Sequence, residues 1–300
     1  LTVTGVQTCA LPISSSRGEE LFQAAEKLKK KKTLFKKRQC SEETADKYRQ
    51  SANAFKGERN FVRSGEAHMI AARLYLELGE TRTAASEAVE AGACFSKQES
   101  TYEKAIEAYK FAGDVQRDLK KPEMAADGMC LSADLLFKLE KDDEAIDLLK
   151  EAIKVYQNNN NEPKAARHLE EIGEILADKL KYLEAADLFA QAAELRFKNS
   201  LTQSGAGMIF AKSILCILDT GDVIGARAKL NDYLKNVNPG FRVHFDCKFL
   251  LELMDKIEER DIEKFDEFIE KHKQSAVVDQ WTNNRLLDLR RYADEEIELL

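Results

Sequence analysis

The sequence predicts an all-α protein, and three observations carry that prediction. The composition is rich in alanine, leucine, glutamate and lysine, which are good helix formers, whereas only 4 of the 300 residues are proline and 14 are glycine. Apolar residues recur at steps of three and four, which places them on one helix face, as in Ala145, Leu148, Leu149, Ala152, Ile153 and Tyr156. A unit of one helix and a short turn also repeats along the chain.

The repeat has a step of twenty residues. A small residue recurs at Ala45, Gly65, Ala85, Ala105, Ala125, Ala145, Ala165 and Ala185. An apolar residue follows each of them by ten positions, at Phe55, Tyr75, Phe95, Val115, Leu135, Val155, Ile175 and Leu195. Such helices cannot bury their apolar faces alone, so they must stack on their neighbours. We expect a right-handed twisted stack of antiparallel helix pairs, TPR-like but with about 40 residues per pair instead of about 34.

Turn signals separate the units at Gly57, Gly79, Pro122, 158–161 and Pro163. The repeat weakens after about residue 199, where helices are expected over 201–219, 222–235, 241–259, 261–274 and 279–298. The sequence therefore predicts a helical-repeat stack over 15–199, with a basic loop at 29–38, and a C-terminal helical bundle with an acidic tail over 200–300.

The first fourteen residues differ from the rest of the chain. Residues 3–13 resemble the translation of a common sequencing-library adapter, and the segment lacks the basic start of a signal peptide. We expect residues 1–14 to be a non-native segment and leave them out of the fold prediction.

Composition and motifs argue against several classes of protein. No apolar run approaches the roughly 20 residues of a membrane-spanning helix. The six cysteines form no CxxC pair, and Cys94, Cys130 and Cys216 lie among apolar residues, which predicts buried free thiols in a reducing, cytosolic compartment. The sequence has no P-loop, and its four histidines lack metal-ligand spacing. We therefore expect no enzyme activity, no metal and no cofactor.

Charge is distributed unevenly, although the net value is −7. Eight basic residues and no acid lie between positions 27 and 38, with Leu34 and Phe35 among them. Such a segment suits an anionic membrane surface, contacted by Leu34, Phe35, Lys30, Lys31, Lys32, Lys36 and Lys37. A solvated charge run between two helices and a nuclear or nucleic-acid patch are the alternatives. The acidity of the remaining chain argues against nucleic acid.

The C-terminal segment contains Trp281, the only tryptophan, and ends on an acidic stretch with terminal leucines. Trp281 is expected to anchor the last helix in the core. The tail is either frayed and inert or a docking element that is steered to a basic partner, with Leu299 entering a pocket.

Several stretches, taken in order, resemble the soluble NSF attachment proteins, most nearly the alpha type, over about residues 20–300. The matching stretches are AEK at 25–27, ANAFK at 52–56, FAKSILCIL at 210–218, DQW at 279–281 and DEE at 294–296. The resemblance implies a cytoplasmic, peripheral membrane adaptor without a nucleotide site. Such adaptors bind the SNARE complex (a syntaxin-type bundle) and recruit a hexameric AAA ATPase of the NSF type. They thereby serve vesicle-mediated protein transport, including transport between endoplasmic reticulum and Golgi.

The resemblance also implies site residues. Basic residues on the concave face would contact SNAREs, here Lys97, Lys110, Lys121 and Arg167, with an apolar contact at Leu201. Asp127 and Gly207 replace lysines of the family, so the footprint departs from the family pattern there. ATPase docking and stimulation map to Asp294, Glu295, Glu296 and Leu299, and membrane contact maps to Leu34 and Phe35. A generic TPR-like scaffold of another complex, and more remotely an enzyme with an unrecognised site, are the alternatives.

Overall fold

The computed structural model describes residues 16–30, 37–275 and 278–294. All regular elements within these ranges are helices, and no strand occurs among them, which confirms the predicted all-α class. The predicted non-native segment 1–14 lies outside the described residues. No helix in the described part of the chain combines the length and the apolar character needed to cross a bilayer.

The chain divides into two compact units, 1–145 and 146–300. The described part of the first unit holds six helices, each packed on the next. They are α1 (Arg17–Lys30), α2 (Lys37–Gly57), α3 (Phe61–Glu77), α4 (Thr81–Phe95), α5 (Tyr102–Asp118) and α6 (Pro122–Lys138). A 3₁₀ turn, Glu99–Thr101, precedes α5.

The second unit is entered by α7 (Asp142–Asn158), which begins before the boundary. It continues with α8 (Glu162–Asp178), α9 (Tyr182–Lys198), α10 (Ala206–Leu218), α11 (Val223–Asn236), α12 (Phe245–Glu259), α13 (Ile262–Ser275) and α14 (Gln280–Leu289). The second unit also contains three described 3₁₀ turns. Gln203–Gly205 precedes α10, Pro239–Val243 precedes α12, and Arg290–Ala293 follows α14. The last helix is therefore shorter than the predicted 279–298.

The helices α5 to α9 have 17 residues each, whereas α10 to α14 have between 10 and 15. The uniform length of 17 residues therefore ends where the sequence repeat weakens. The predicted division into a repeat stack over 15–199 and a C-terminal helical bundle over 200–300 stays a prediction.

The twenty-residue repeat marks the packing of the helices. All eight small residues of the repeat are buried. Their apolar partners are buried from Phe55 to Leu135, but Val155, Ile175 and Leu195 are only half-buried. On α7 and α8 a buried residue lies one position later, at Tyr156 and Leu176. The buried stripe therefore rotates slightly around these two helices, although the sequence spacing stays constant.

Six of the turns between helices share one backbone geometry. In each of these six the second residue after the helix adopts a positive φ, at Arg59, Gly79, Lys120, Glu140, Asn160 and Leu180. The next residue donates its N–H to the carbonyl five positions earlier, as from Glu80 to Tyr75 at 2.8 Å and from Lys181 to Leu176 at 2.8 Å. This Schellman pairing satisfies carbonyls that the helix end leaves open.

Buried thiols and paired histidines occupy the interior. Cys94, Cys130 and Cys216 are buried, as predicted. His68 lies 2.7 Å from Glu87 in the first unit, and His168 lies 2.9 Å from Glu171 in the second. The two histidines thus have structural partners.

Candidate protein-binding surfaces

Three of the predicted SNARE-contact lysines belong to the first unit, and all three are exposed. Lys97 follows α4, Lys110 lies on α5 and Lys121 immediately precedes α6. Among the described residues, none of these three ammonium groups has a carboxylate within 4.0 Å. By contrast, Lys104 in the same unit pairs with Glu66 at 3.4 Å. An acidic partner could therefore approach the three lysines without breaking an internal ion pair.

The two predicted contacts of the second unit are also exposed. Arg167 projects from α8 and forms no ion pair with any described carboxylate. Leu201 lies in the turn after α9 and is 90% exposed, more than any other large apolar side chain of the described ranges. Its N–H donates to Asn199 Oδ1 at 3.0 Å, which fixes the turn that presents it.

The positions that depart from the family pattern differ in structure. Asp127 on α6 is half-buried and has an interaction partner. Gly207 on α10 is buried beneath Phe241, and a Cβ at this position would lie 2.5 Å from Phe241 Cε2. A lysine cannot replace Gly207 unless that ring moves, because a real Cβ does not approach a carbon so closely.

The predicted membrane-contact segment lies between α1 and α2. Lys30, the last residue of α1, is exposed, and Lys37 begins α2. Residues 31–36, which include Lys31, Lys32, Leu34, Phe35 and Lys36, lie outside the described residues. The membrane interpretation therefore stays a prediction.

Trp281 holds α14 against the second unit, as the sequence predicts. Its ring meets Phe189 of α9 edge-on, with the centroids 5.2 Å apart. The Lys212 ammonium lies 5.1 Å and the Arg285 guanidinium 5.9 Å from the ring centroid. Two cations near one aromatic ring make this an electrostatic as well as an apolar anchor.

Beside this anchor, the buried Lys212 meets three partly exposed carboxylates. Lys212 Nζ lies 2.5 Å from Glu174, 3.2 Å from Glu170 and 3.9 Å from Asp279. Burial acts to lower the pKa of Lys212, but the neighbouring carboxylates outweigh it and raise the pKa above its usual value. The ammonium therefore stays charged and ties α8 and α10 to the start of α14. Lys212 is the one charged residue within an apolar run, and sequence reasoning did not assign it a role.

Asp219 lies in the same region without a hydrogen bond to its carboxylate among the described residues. Arg285 Nη1 is 3.8 Å away, and Arg285 also pairs with Asp288 at 2.9 Å. Burial raises the pKa of Asp219 to about 7, against the lowering effect of Arg285. Asp219 and Arg285 were both missed from sequence, because charged residues are common along this chain.

The predicted ATPase-docking tail begins where the described chain ends. Asp294 is half-buried and follows the 3₁₀ turn Arg290–Ala293. Glu295, Glu296 and Leu299 lie outside the described residues. Their role stays a prediction, whereas residues 290–294, which precede them, are described.

Comparison with known proteins agrees with the resemblance. The family model "Soluble NSF attachment protein, SNAP" matches residues 16–293. Beta-soluble NSF attachment protein of Bos taurus is 26% identical over 254 residues, covering 83% of each chain. Alpha-soluble NSF attachment protein of Homo sapiens is 26% identical over 261 residues, covering 85% of this chain and 86% of the relative.

A fungal relative extends the comparison. A probable vesicular-fusion protein sec17 homolog of Neurospora crassa is 24% identical over 257 residues, covering 84% of this chain and 86% of the relative. The family match spans both compact units, from α1 to the end of the 3₁₀ turn after α14. The chain belongs to the soluble NSF attachment protein family.

Proposed function

We propose that this chain is an adaptor that binds assembled SNARE complexes and recruits an NSF-type hexameric ATPase for SNARE disassembly in vesicle fusion. The observation that carries this proposal is the family match over residues 16–293, together with relatives named as NSF attachment and vesicular-fusion proteins. The adaptor is proposed to act in the cytoplasm, at the cytosolic face of membranes.

The exposed cations support the proposed SNARE contact. Lys97, Lys110, Lys121 and Arg167 carry charges that no described carboxylate neutralises, so they suit acidic helices of a SNARE bundle. Leu201 adds an exposed apolar side chain that a partner would bury. A few such residues dominate the binding energy of a typical interface.

The proposal is tested by mixing the chain with a purified SNARE complex and NSF, and then measuring ATP hydrolysis and SNARE release. Stimulation of both is expected. A folded chain that neither binds SNARE complexes nor stimulates the ATPase would favour the alternative, a TPR-like scaffold of another complex.

Charge reversal tests the proposed SNARE surface. Lys110→Glu combined with Lys121→Glu should weaken SNARE binding by roughly tenfold, because two attractive contacts become repulsive. Lys150→Glu is the matched control, since Lys150 is also exposed and forms no ion pair with a described residue. Equal affinities for the double variant and the control would contradict the proposed surface.

The proposed tail contact needs a separate variant. Leu299→Ala should leave SNARE affinity unchanged but abolish ATPase stimulation, because it removes the side chain proposed to enter the ATPase. Normal stimulation by this variant would remove Leu299 from the proposal without affecting the SNARE contact.

A further inference from the structure

The short segment before the tail is fixed to α13 by a charged pair. Arg290 donates from Nε and Nη2 to the two carboxylate oxygens of Asp266, at 2.7 and 2.8 Å. A guanidinium that meets a carboxylate through two parallel hydrogen bonds fixes direction as well as distance. The Arg290 hydrogen bonds lower the pKa of Asp266, so this pair stays ionised near neutral pH. Both side chains are nearly half exposed, so the pair can be altered without disturbing the core.

The next residues are fixed to the end of α10. Tyr292 Oη donates to the backbone carbonyl of Asp219 at 2.7 Å, and Arg291 Nη2 donates to the same oxygen at 3.1 Å. Gly221 has a φ of 83° and lies under the tyrosine ring, where a Cβ would come within 3.3 Å of Tyr292 Cε1. A glycine therefore permits both the turn and the approach of the ring.

These contacts make residues 290–293 an anchor, and the acidic tail follows it directly. Ala293 is completely buried, whereas Asp294 is only half-buried and begins the acidic stretch. Within four residues, the chain thus contacts α13 through Arg290, the end of α10 through Arg291 and Tyr292, and the core through Ala293.

We propose that Arg290 and Tyr292 are positioning residues that fix the base of the acidic tail, and that efficient ATPase stimulation requires this fixed base. The inference rests on the proposed adaptor function. Because residues 290–293 are already fixed, this segment loses less conformational freedom when the ATPase binds the residues that follow it. If only the anchored state engages the ATPase well, the apparent affinity falls in proportion to the anchored fraction.

A charge swap tests the contact of Arg290 with Asp266. We would compare Arg290→Asp, Asp266→Arg and the double variant, measuring the chain concentration that gives half-maximal ATPase stimulation in the presence of SNARE complex. Each single change should raise this concentration about threefold, as expected for a lost exposed ion pair. The double variant should return to near the original value, while SNARE affinity stays constant in all variants. Failure of the double variant to recover would overturn the inference, because the charge at position 290 would then matter more than the contact.

Two further changes act on the tail base directly. Tyr292→Phe removes one hydrogen bond and should raise the half-maximal concentration by about fivefold. A Gly-Ser-Gly spacer between Ala293 and Asp294 leaves the anchor intact but detaches the tail from it, and should have a similar effect. An unchanged half-maximal concentration with the spacer would overturn the inference.

Hydrogen exchange separates this inference from the proposed function. In the isolated chain, the backbone amides of residues 290–293 should exchange faster in each charge-reversal variant and recover in the swap. An original chain that fails to stimulate the ATPase would overturn the proposed function, and this inference with it. Normal stimulation by the original chain and by every variant would overturn the positioning role alone.

Discussion

Close helix contacts in the first unit depend on single glycines beneath aromatic rings. A Cβ at position 65 would lie 2.7 Å from Phe95 Cε1, and a Cβ at position 92 would lie 2.5 Å from Tyr109 Cε1. The rings therefore occupy the space that an alanine methyl group would need. Gly57, at the end of α2, has no such neighbour within 4 Å.

Gly65→Ala should lower the free energy of unfolding by about 1–3 kcal/mol, because the added methyl group overpacks the contact with Phe95. Gly57→Ala should leave it unchanged or raise it by up to about 1 kcal/mol, because alanine favours the helix. Urea denaturation of both variants measures the difference. Equal changes in the free energy of unfolding for the two variants would show that the Phe95 ring moves aside without loss of stability.

Asp219 makes stability depend on pH at the residue scale. The pKa of a carboxyl group in an unfolded chain is about 3.9, whereas burial raises that of Asp219 to about 7 in the folded chain. The folded state therefore binds a proton more tightly than the unfolded state does. The resulting stabilisation is fully present below about pH 4 and is lost as the pH rises through about 7.

Asp219→Asn should remove this dependence. As the pH rises from about 5 to about 8, the free energy of unfolding of the variant relative to that of the original chain should increase by on the order of 2 kcal/mol. The reason is that only the original chain must ionise a buried carboxyl group. Denaturant unfolding at several pH values gives the difference. A difference that stays constant over this interval would contradict the role of Asp219.

At the scale of the element, the repeated turns place one residue in the left-handed backbone conformation. Glycine would be least strained there, but most of these turns use another residue. Gly79 is the glycine among the six turns that share this geometry, whereas Leu180 takes a φ of 62° and is 70% exposed. A left-handed conformation costs an ordinary residue roughly 1–2 kcal/mol. The shared N–H to carbonyl pairing stabilises the conformation in spite of this strain.

Leu180→Gly should therefore raise the free energy of unfolding by about 0.5–1 kcal/mol, since strain is relieved and little apolar contact is lost. Gly79→Ala, at the equivalent turn position, should lower it by about 1 kcal/mol. Thermal and urea denaturation check both changes. A destabilised Leu180→Gly variant would indicate that the leucine makes a contact worth more than its backbone strain.

At the scale of the whole molecule, the net charge of −7 opposes attraction to an anionic membrane, so binding must rely on a local basic segment. The proposed segment is 29–38, in which lysines flank Leu34 and Phe35. Each basic residue near an anionic bilayer contributes about 1 kcal/mol, and this contribution weakens as salt screens it.

Vesicles that contain phosphatidylserine should bind the chain, and binding should fall when ionic strength is raised. Leu34→Ser combined with Phe35→Ser should reduce binding severalfold at low salt with the helix content unchanged, because the inserted apolar surface is lost. Vesicle flotation and circular dichroism provide the two measurements. Lys150→Glu serves as a charge control outside the segment, and unaltered flotation of the Leu34/Phe35 variant would contradict membrane contact by this segment.

The sequence alone determined the helical class, the step of the repeat and the buried small residues, because local side-chain spacing encodes each of them. It also supplied the ordered stretches that identify the family. Helix ends were less well predicted: α14 ends at Leu289, before the predicted 298, where the chain tightens into a turn that hydrogen-bonds to the Asp219 carbonyl. That partner lies more than 70 residues earlier, so local spacing contains no signal for it.

Only the tertiary structure decided which charged residues are buried and which are exposed. Lys212 and Asp219 are buried beside α14, whereas Lys110 and Arg167 face solvent. The apolar run around Lys212 indicates that α10 is buried, but it does not indicate which carboxylates meet the lysine. The physical reason is that burial, ion pairing and the raised pKa of Asp219 arise from helices brought together across distant parts of the chain. The period of the apolar residues fixes the face that each helix buries, but the packing of the helices fixes the partner of each charge.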